Sequence, residues 1–304
     1  MSYLNAIILC TKNGMPFLKK QLESIFNQTE KKFDLYINDD GSDDETINIL
    51  ENFKLKYPQY NIRITHLKYG CSNKNFIETL KQVPNCYLNY FFCDQDDIWM
   101  AEKIEVSAAA IKPYKNIPSV FCSRTSLIDV NDNFIGMSPN FKEPPSFGNA
   151  LVQSIAGGNT MCFNLKTKLI LDKVITDDLP AHDWITYILV SAHNGKIIYS
   201  QKPYVLYREH KNNQIGPNQG LIAKMKRAIQ LFRGEFKLWV RKNLEILNNF
   251  KLSDENSVYV DLFVKKIHNG KLYWRVIYFF KLNIHRQGFL PNLLLFFAVL
   301  FKKI

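Results

Sequence analysis

Three carboxylates stand within four positions in the string Asp94-Gln95-Asp96-Asp97, directly after an apolar run. Neighbouring anions repel one another, so their grouping favours a divalent cation or a basic group that neutralises them. Carboxylate oxygens suit Mg²⁺ or Mn²⁺, which keep some waters and take further ligands from substrate phosphates. The alternative is an acidic turn in which one aspartate caps a helix. The repetition of the acidic residues favours the metal site.

A second acidic cluster, from Asn38 to Asp44, follows another apolar run. Its Gly41 and its aspartates are typical of a turn. The residues Ser42 to Glu45 also match the capping-box pattern, which predicts a helix that opens there and ends before Pro58.

The elements that must position these clusters are short strands that alternate with amphipathic helical segments. The strand-like runs are Ala6–Cys10, Leu35–Asn38, Ile62–Leu67, Tyr87–Cys93 and Ser119–Cys122. This alternation predicts an α/β fold with a mainly parallel sheet, in which ligands bind at the carboxyl ends of the strands. Both acidic clusters therefore fall at the same edge. The proline-rich residues 130–220 predict irregular structure laid over the sheet.

The basic character of the chain lies in its C-terminal part. Residues 220–304 hold 16 Lys/Arg against 5 Asp/Glu, which equals the +11 of the whole chain, so residues 1–219 are neutral. Apolar residues recur there at helical spacing, in a stripe from Ile222 to Leu247 and a second block from Tyr259 to Leu282. We therefore predict a catalytic domain at 1–218 and a basic, amphipathic helical region at 219–304.

Three interpretations of the helical region compete. Nucleic-acid binding lacks any supporting module pattern, so we expect no nucleic-acid partner. The region could pack on the catalytic domain as a plain helical extension. The interpretation that we favour is attachment to an anionic membrane surface, because the apolar run Leu293–Phe301 is followed by Lys302 and Lys303.

Composition excludes other classes of protein. The six cysteines form no CxxC pair, which argues against zinc and against a disulfide framework. The N-terminal residues lack the pattern of a signal peptide, and the longest apolar run has nine residues where a spanning helix needs about twenty. We expect a cytoplasmic protein, peripheral at the inner face of the membrane.

The motifs together resemble family 2 glycosyltransferases of the GT-A fold, and the Asp94–Trp99 string is most similar to the rhamnosyltransferase-type branch that builds bacterial surface polysaccharides. The matching segments, in the family's order, are Cys10–Gly14, Asn38–Ser42, Lys74–Phe76, Asp94–Trp99, Gly157–Thr160, His182–Trp184 and Tyr207–Asn213. The sequence departs from the family at Lys12, where tyrosine is common, and at Ile185, where a second tryptophan is frequent.

The resemblance implies a role for each matching residue. Nucleotide contacts fall to Thr11, Asp40, Lys74, Asp94 and Asp96; metal ligation to Asp96, Asp97 and His210; and the acceptor side to Gly158, Asn159 and Trp184. Asp183 is implied to be the general base, with Trp184 as an apolar wall that a sugar can stack on. The alternative is that Asp183 caps the helix that begins nearby.

The implied reaction is metal-dependent, inverting transfer of L-rhamnose from dTDP-rhamnose to a glycan acceptor, lipid-linked if the helical region binds a membrane. The cation, Mg²⁺ or Mn²⁺, would neutralise the departing diphosphate. A UDP-hexose donor is an alternative. A non-catalytic protein that binds nucleotides or carbohydrates on the same scaffold is the rival from another class.

Overall fold

The computed structural model describes residues 5–155, 157–211, 213 and 234–304. Its main sheet has seven strands in the order β10-β6-β9-β4-β1-β2-β3, all parallel except β9. The strands are β1 Asn5–Thr11, β2 Phe33–Asp39, β3 Ile62–Thr65, β4 Asn89–Cys93, β6 Ser119–Ser123, β9 Cys162–Asn164 and β10 Lys196–Ser200. The predicted α/β fold and mainly parallel sheet are confirmed.

Helices cover both faces of this sheet. They are α1 Leu18–Phe26, α2 Thr46–Lys56, α3 Ser72–Gln82, α4 Lys103–Ile111, α5 Phe147–Ala150, α6 Leu165–Leu171 and α7 His182–Ala192. Alternate residues of β1 point to opposite faces, so Ile7 and Leu9 join a core with α1, α2 and α4, whereas Ala6 and Ile8 join a core with α3 and α7. Burial on both faces explains why β1 is apolar throughout its centre.

The segment between 130 and 210 is more regular than the sequence predicts. A second sheet has the order β5-β11-β7-β8, and two further strands, β9 and β10, belong to the main sheet. The strands of the second sheet are β5 Ile98–Trp99, β7 Ser126–Ile128, β8 Phe134–Met137 and β11 Val205–Arg208. These strands have two to five residues, which is too short for a periodicity to show.

The capping box predicted at the start of α2 is absent. The hydroxyl of Ser42 donates to the carboxylate of Asp39, and the N-cap of α2 is Glu45 without a side-chain bond. Asp44 instead accepts the N–H of Thr46 at 3.0 Å. The serine therefore stabilises the loop rather than the helix.

The C-terminal helices dock on the catalytic domain. They are α8 Glu235–Leu247, α9 Asp254–Leu262 with a π-helical continuation Phe263–His268, α10 Leu272–Lys281 and α11 Phe289–Leu300. Phe236, Leu247, Phe263 and Val299 share one apolar core with the residues of α3 and α7. The packing interpretation is thus correct for these helices. The first part of the stripe predicted from Ile222, and the boundary at 218/219, lie outside the described residues.

Polar bonds fix the docking. Asn256 donates to the carbonyl of Ala192 at 2.8 Å, and Arg286 donates to the carbonyl of Val152 at 2.9 Å. Over the described ranges, no helix is both long and apolar enough to cross a bilayer.

Candidate active site

Three loops meet at the carboxyl edge of the main sheet. The parallel register places Thr11 opposite Asp39, and Leu9 opposite Cys93. The loops that follow β1, β2 and β4 therefore begin side by side, as the sequence predicts for the two acidic clusters.

Gln95 joins the first and third of these loops. Its Oε1 accepts the N–H of Lys12 at 2.8 Å, and its Nε2 donates to the carbonyl of Lys12 at 2.9 Å. A Cβ added at Gly14 would lie 2.9 Å from the same Oε1, so a side chain there would displace the Gln95 amide from its bonds to Lys12. The two loops consequently behave as one unit.

Asp39 organises the second loop from within the protein. Its carboxylate accepts the hydroxyl of Thr11 at 2.9 Å and the N–H of Ser42 at 2.8 Å. Thr11, predicted to contact the nucleotide, is 2% exposed. Its hydroxyl therefore fixes the loop, and little of the Thr11 side chain is left for contact with a nucleotide.

Asp40, the residue predicted to contact the nucleotide base, lies at the opening beside the segment before α3. Its Oδ1 accepts the N–H groups of Tyr69 and Gly70, the latter at 2.9 Å. These bonds engage one carboxylate oxygen, so Oδ2 is the atom that a base edge would contact.

Lys74 does not lie with the acidic cluster after β4. Its Nζ forms an ion pair with Asp177 Oδ1 at 3.0 Å, and this partner raises the pKa of Lys74. The predicted phosphate contact is therefore not prepared in the structure, and Lys74 lines a groove together with Asp177, Asp178 and Trp239.

Asp96 and His210 form the pair that suits a divalent cation. Asp96 Oδ2 and His210 Nε2 lie 2.8 Å apart, although Asp96 follows β4 and His210 follows β11. Mg²⁺ commonly takes one or two protein carboxylates and completes its shell with phosphates and waters. Among the residues that the structure describes, no three His, Cys, Asp or Glu side chains converge as a ready metal cage. The pair therefore fits a cation shared with a diphosphate.

Asp97 does not belong with this pair, which corrects its prediction as a metal ligand. Its side chain is fully buried; Oδ2 accepts the amide of Asn159, and Oδ1 accepts the N–H of Arg208 at 3.2 Å. Burial, with the neighbouring charge of Asp96, raises the pKa of the Asp97 carboxyl. Asp97 positions the loop and faces away from solvent.

Asn159 is likewise a positioning residue, so its prediction on the acceptor side is wrong. It is 4% exposed, its amide bonds Asp97, and its carbonyl accepts Lys103 Nζ at 2.8 Å. The same Nζ lies 3.3 Å from the centre of the Trp99 ring. Burial lowers the pKa of this amine to about 7, while the nearby Asp97 and Asp94 act in the opposite direction, so Lys103 offsets the charge of the acidic loop only in part.

Gly158 lies against the histidine that precedes the candidate base. A Cβ at this position would lie 2.2 Å from His182 Nε2, so only glycine fits. The imidazole of His182 stacks on Phe76 at 4.3 Å between ring centres, and burial lowers its pKa to about 3. The neutral ring of His182 therefore has a packing role, and Gly158 permits the close approach of its loop to α7.

Asp183 lies in the first turn of α7, at the opening. Burial raises the pKa of its carboxyl to about 6, while the N–H groups of Trp184, Asp183 and Gly158 act in the opposite direction. The bond from the Trp184 N–H measures 2.6 Å, although the N-cap position itself is Ala181. Asp183 is therefore not the cap that the alternative required, and its raised pKa gives it the proton affinity of a base.

Asp94 lies in the acidic loop after β4, close enough to Asp183 of α7 for their charges to interact. Burial raises the pKa of its carboxyl well above the usual range, and the charges of Asp97, Asp96 and Asp183 add to the effect. The charge of Asp183 is among these causes, so the candidate base lies near the acidic loop.

Trp184 is not available to a sugar, which corrects its prediction as an apolar wall. It is 7% exposed, its Nε1 donates to the carbonyl of Ala150 at 2.7 Å, and its ring stacks on Phe236 at 6.0 Å and 20°. Trp184 joins α7 to α8.

Arg208 is a site residue that the sequence analysis missed. It is fully buried; its Nε donates to the carbonyl of Asp96 at 2.9 Å, and its Nη1 donates to the carbonyl of Asp129 at 3.0 Å. Its guanidinium lies over the ring of Phe17 at 4.6 Å. The sequence signal for Arg208 was an arginine at the end of an apolar run, two residues before His210. A charge that is buried with such a run needs polar partners.

The described fold is that of GT-A glycosyltransferases. S. aureus TarS 1–349 in complex with UDP-GlcNAc matches 84% of this chain and 70% of its own, with 19% identity and a TM-score of 0.60. The mannosyltransferase PcManGT from Pyrobaculum calidifontis, in complex with GDP-Man and Mn²⁺, matches 98% of this chain and 86% of its own, with 14% identity and a TM-score of 0.50.

Within that class, the chain belongs to glycosyl transferase family 2, whose model matches residues 6–174. It is also 32% identical over 259 residues to the dTDP-rhamnosyl transferase RfbG of Shigella flexneri, a match that spans 82% of this chain and 86% of the relative.

Proposed function

We propose that this glycosyltransferase moves L-rhamnose from dTDP-rhamnose to a glycan acceptor, with inversion and with a divalent cation, in the assembly of a bacterial surface polysaccharide. The similarity to a dTDP-rhamnosyl transferase supports the donor. The observation that carries the mechanism is Asp183, whose raised pKa and position near Asp94 suit a general base.

On the donor side, Asp96 and His210 would hold Mg²⁺ or Mn²⁺. The bound cation supplies charge neutralisation for the departing nucleoside diphosphate. Arg208 fixes Asp96 through its backbone carbonyl, and Asp40 Oδ2 is the atom that would contact the base. Gln95 keeps the loops in register, so that donor and cation meet a prepared edge.

On the acceptor side, Asp183 takes the proton of the attacking hydroxyl. The oxygen of the acceptor forms its bond to the anomeric carbon while the bond to the diphosphate breaks, and the electron pair leaves with the diphosphate. One displacement from the opposite face inverts the configuration. Because the pKa of Asp183 is raised only to about 6, the carboxylate is ionised at neutral pH and still accepts a proton readily.

The test is Asp183→Asn, which keeps the size of the side chain but removes the base. We expect transfer to fall by 100-fold or more, about the lower limit for a general base, while nucleotide-sugar binding persists. Asp261→Asn, at an exposed position on α9, is the matched control. Retained turnover in Asp183→Asn would exclude Asp183 as the base.

The donor is tested separately. Wild-type protein is incubated with dTDP-rhamnose and with UDP-hexoses, and diphosphate release is followed with Mg²⁺, with Mn²⁺ and with a chelator. Metal-dependent release from dTDP-rhamnose supports the proposal, and release from a UDP-hexose alone changes the donor. No release from any nucleotide sugar, with or without acceptors, favours a binding protein on the same scaffold.

We also propose that the C-terminal helices rest on an anionic membrane surface. The apolar residues that α10 and α11 expose are Leu272, Tyr273, Ile277, Phe280, Phe289, Leu290, Leu293 and Phe297. Phe280 packs on Phe296 at 5.8 Å, so the two helices present a joint surface. Lys271, Lys281 and Lys302 are exposed on the same segments. Apolar side chains flanked by lysines suit an anionic leaflet, where each basic residue contributes roughly 1 kcal/mol.

Vesicle flotation tests this surface. Wild-type protein should float with anionic vesicles, and the double variant Phe280→Ser with Phe289→Ser should not. Leu55→Ser, at a 78% exposed position on α2, is the control. Flotation that is unchanged in the double variant, or a wild-type protein that never floats and instead dimerises in solution, would contradict membrane binding.

A further inference from the structure

A groove of about 670 Å³ separates the catalytic domain from α8. One wall comes from Asn73 and Lys74 at the start of α3 and from the segment 176–180, and the other comes from Trp239 and Lys242. Its volume lies in the range of small-molecule sites. None of the roles assigned above uses Trp239 or Lys242.

The lining combines an aromatic ring with solvated charges. Trp239 is 39% exposed on a helix whose Phe236 and Val240 pack in the core. Lys74 pairs with Asp177 at 3.0 Å and Lys242 pairs with Asp178 at 3.2 Å, and both aspartate side chains are 83% exposed. Exposed ion pairs of this kind are weak, so a ligand hydroxyl can replace either partner. An aromatic face beside carboxylates and amines is suited to a sugar ring, which has an apolar face and a rim of hydroxyls.

One wall of the groove lies close to the candidate base along the chain. Pro180, in its wall, precedes Asp183 by three residues, which limits the distance along the chain to about 10 Å. Asn73 accepts the N–H of His182 at 3.2 Å, so the groove wall and the start of α7 are bonded to each other.

The opposite wall is equally tied to α7. Trp184 stacks on Phe236, and Trp239 follows Phe236 by three residues, which is about one turn of α8. The first turn of α7, which carries the candidate base, is therefore bonded to one wall of the groove and packed against the helix of the other wall.

We propose that this groove binds the acceptor saccharide, with the ring of Trp239 beneath a sugar and with Asp177, Asp178 and Lys242 around its hydroxyls. The inference rests on the proposed glycosyl transfer and names the acceptor subsite of that reaction. Trp239 is a specificity-determining residue, and it takes the acceptor role that the buried Trp184 does not fill.

The test compares Trp239→Ala with wild type, using a soluble glycan that wild type glycosylates. We expect the acceptor KM to rise about tenfold, because some tens of Å² of apolar contact are lost. The donor KM and the slow hydrolysis of the donor without acceptor should not change. Trp239→Phe, which keeps a ring, should recover most of the acceptor affinity, and Phe134→Ala, at another exposed aromatic, should behave as wild type.

Lys242→Gln gives a second probe should Trp239→Ala fail to fold, with an expected rise of the acceptor KM of a few fold. An unchanged acceptor KM in these variants, or a rise in the donor KM instead, overturns the groove assignment while donor hydrolysis still supports the enzyme. If wild type neither hydrolyses nor transfers from any nucleotide sugar, the proposed function fails, and the acceptor assignment fails with it.

Discussion

The carboxyl edge of the main sheet and the C-terminal helices are held in place by different forces. At the edge, side chains of Gln95, Asp39 and Asp40 bond backbone groups of neighbouring loops. The C-terminal helices attach mainly through apolar side chains such as Phe236 and Val299, with a few polar bonds such as that of Asn256 to Ala192, and they leave their outer faces exposed.

The difference corresponds to two kinds of recognition. Hydrogen bonds are directional and hold atoms in place closely enough for a cation and a diphosphate. Apolar packing is not directional and tolerates changes of side chain of similar volume. We therefore expect the donor edge to be sensitive to single polar substitutions, whereas the helical side is sensitive only where a large side chain is buried.

The largest effect is expected where the two regions join, in Trp184→Ala. Loss of the buried indole should reduce the free energy of unfolding by about 3–5 kcal/mol, as measured by urea denaturation. Trp184→Phe, which keeps a ring against Phe236, should lose less. A cost below about 1 kcal/mol would mean that Trp184 is not a joint between α7 and α8.

A smaller effect is expected on kcat when the pH is changed, and it tests the carboxylate of Asp183, which lies between the two regions. Burial raises the pKa of Asp183 to about 6, so its ionised fraction, and with it kcat, should increase with pH through this value. At pH 5 about one molecule in ten is ionised, and kcat should be about tenfold below its plateau above pH 7. Donor binding measured calorimetrically at both pH values separates this effect from loss of donor affinity. A flat profile of kcat from pH 5 to 7 would contradict the assignment.

The smallest effect on stability is expected at the polar edge, in Gln95→Ala. Two hydrogen bonds to Lys12 are lost near solvent, which should cost about 1–2 kcal/mol. The donor KM should nevertheless rise severalfold while the acceptor KM stays unchanged, because the donor loops lose their register. Gln95→Glu, which keeps the acceptor oxygen and loses the donor, should fall between wild type and Gln95→Ala. Equal changes in both KM values would show that the edge is not specific to the donor.

The sequence predicts β1, β2, β3, β4 and β6 of the main sheet from their strand-like runs, and it predicts the edge that β2 and β4 share because a polar, acidic loop follows each of them. It does not predict β9, since the three residues Cys162–Asn164 carry no periodicity and pair antiparallel only through tertiary contacts. The same limit hides the second sheet, whose strands are similarly short.

Within the site, a motif identifies a residue but not the direction of its side chain. Asp97 belongs to the same motif as Asp96, yet its side chain bonds Asn159 inside the protein. Trp184 follows the candidate base in sequence but turns into the core, and Trp239, with no motif around it, lines the groove. Such outcomes depend on which neighbours fold against each position, and local pattern does not contain that information.

The two hydrogen bonds between Gln95 and the main chain of residue 12 leave the side chain at that position free to vary. Gln95 contacts only the main-chain N–H and carbonyl of that position, so the identity of residue 12 is irrelevant to the bond. The side chain of Lys12 is exposed. A substitution at residue 12 therefore leaves both hydrogen bonds to Gln95 in place, and the side chain there can change without a change in the loop that carries it.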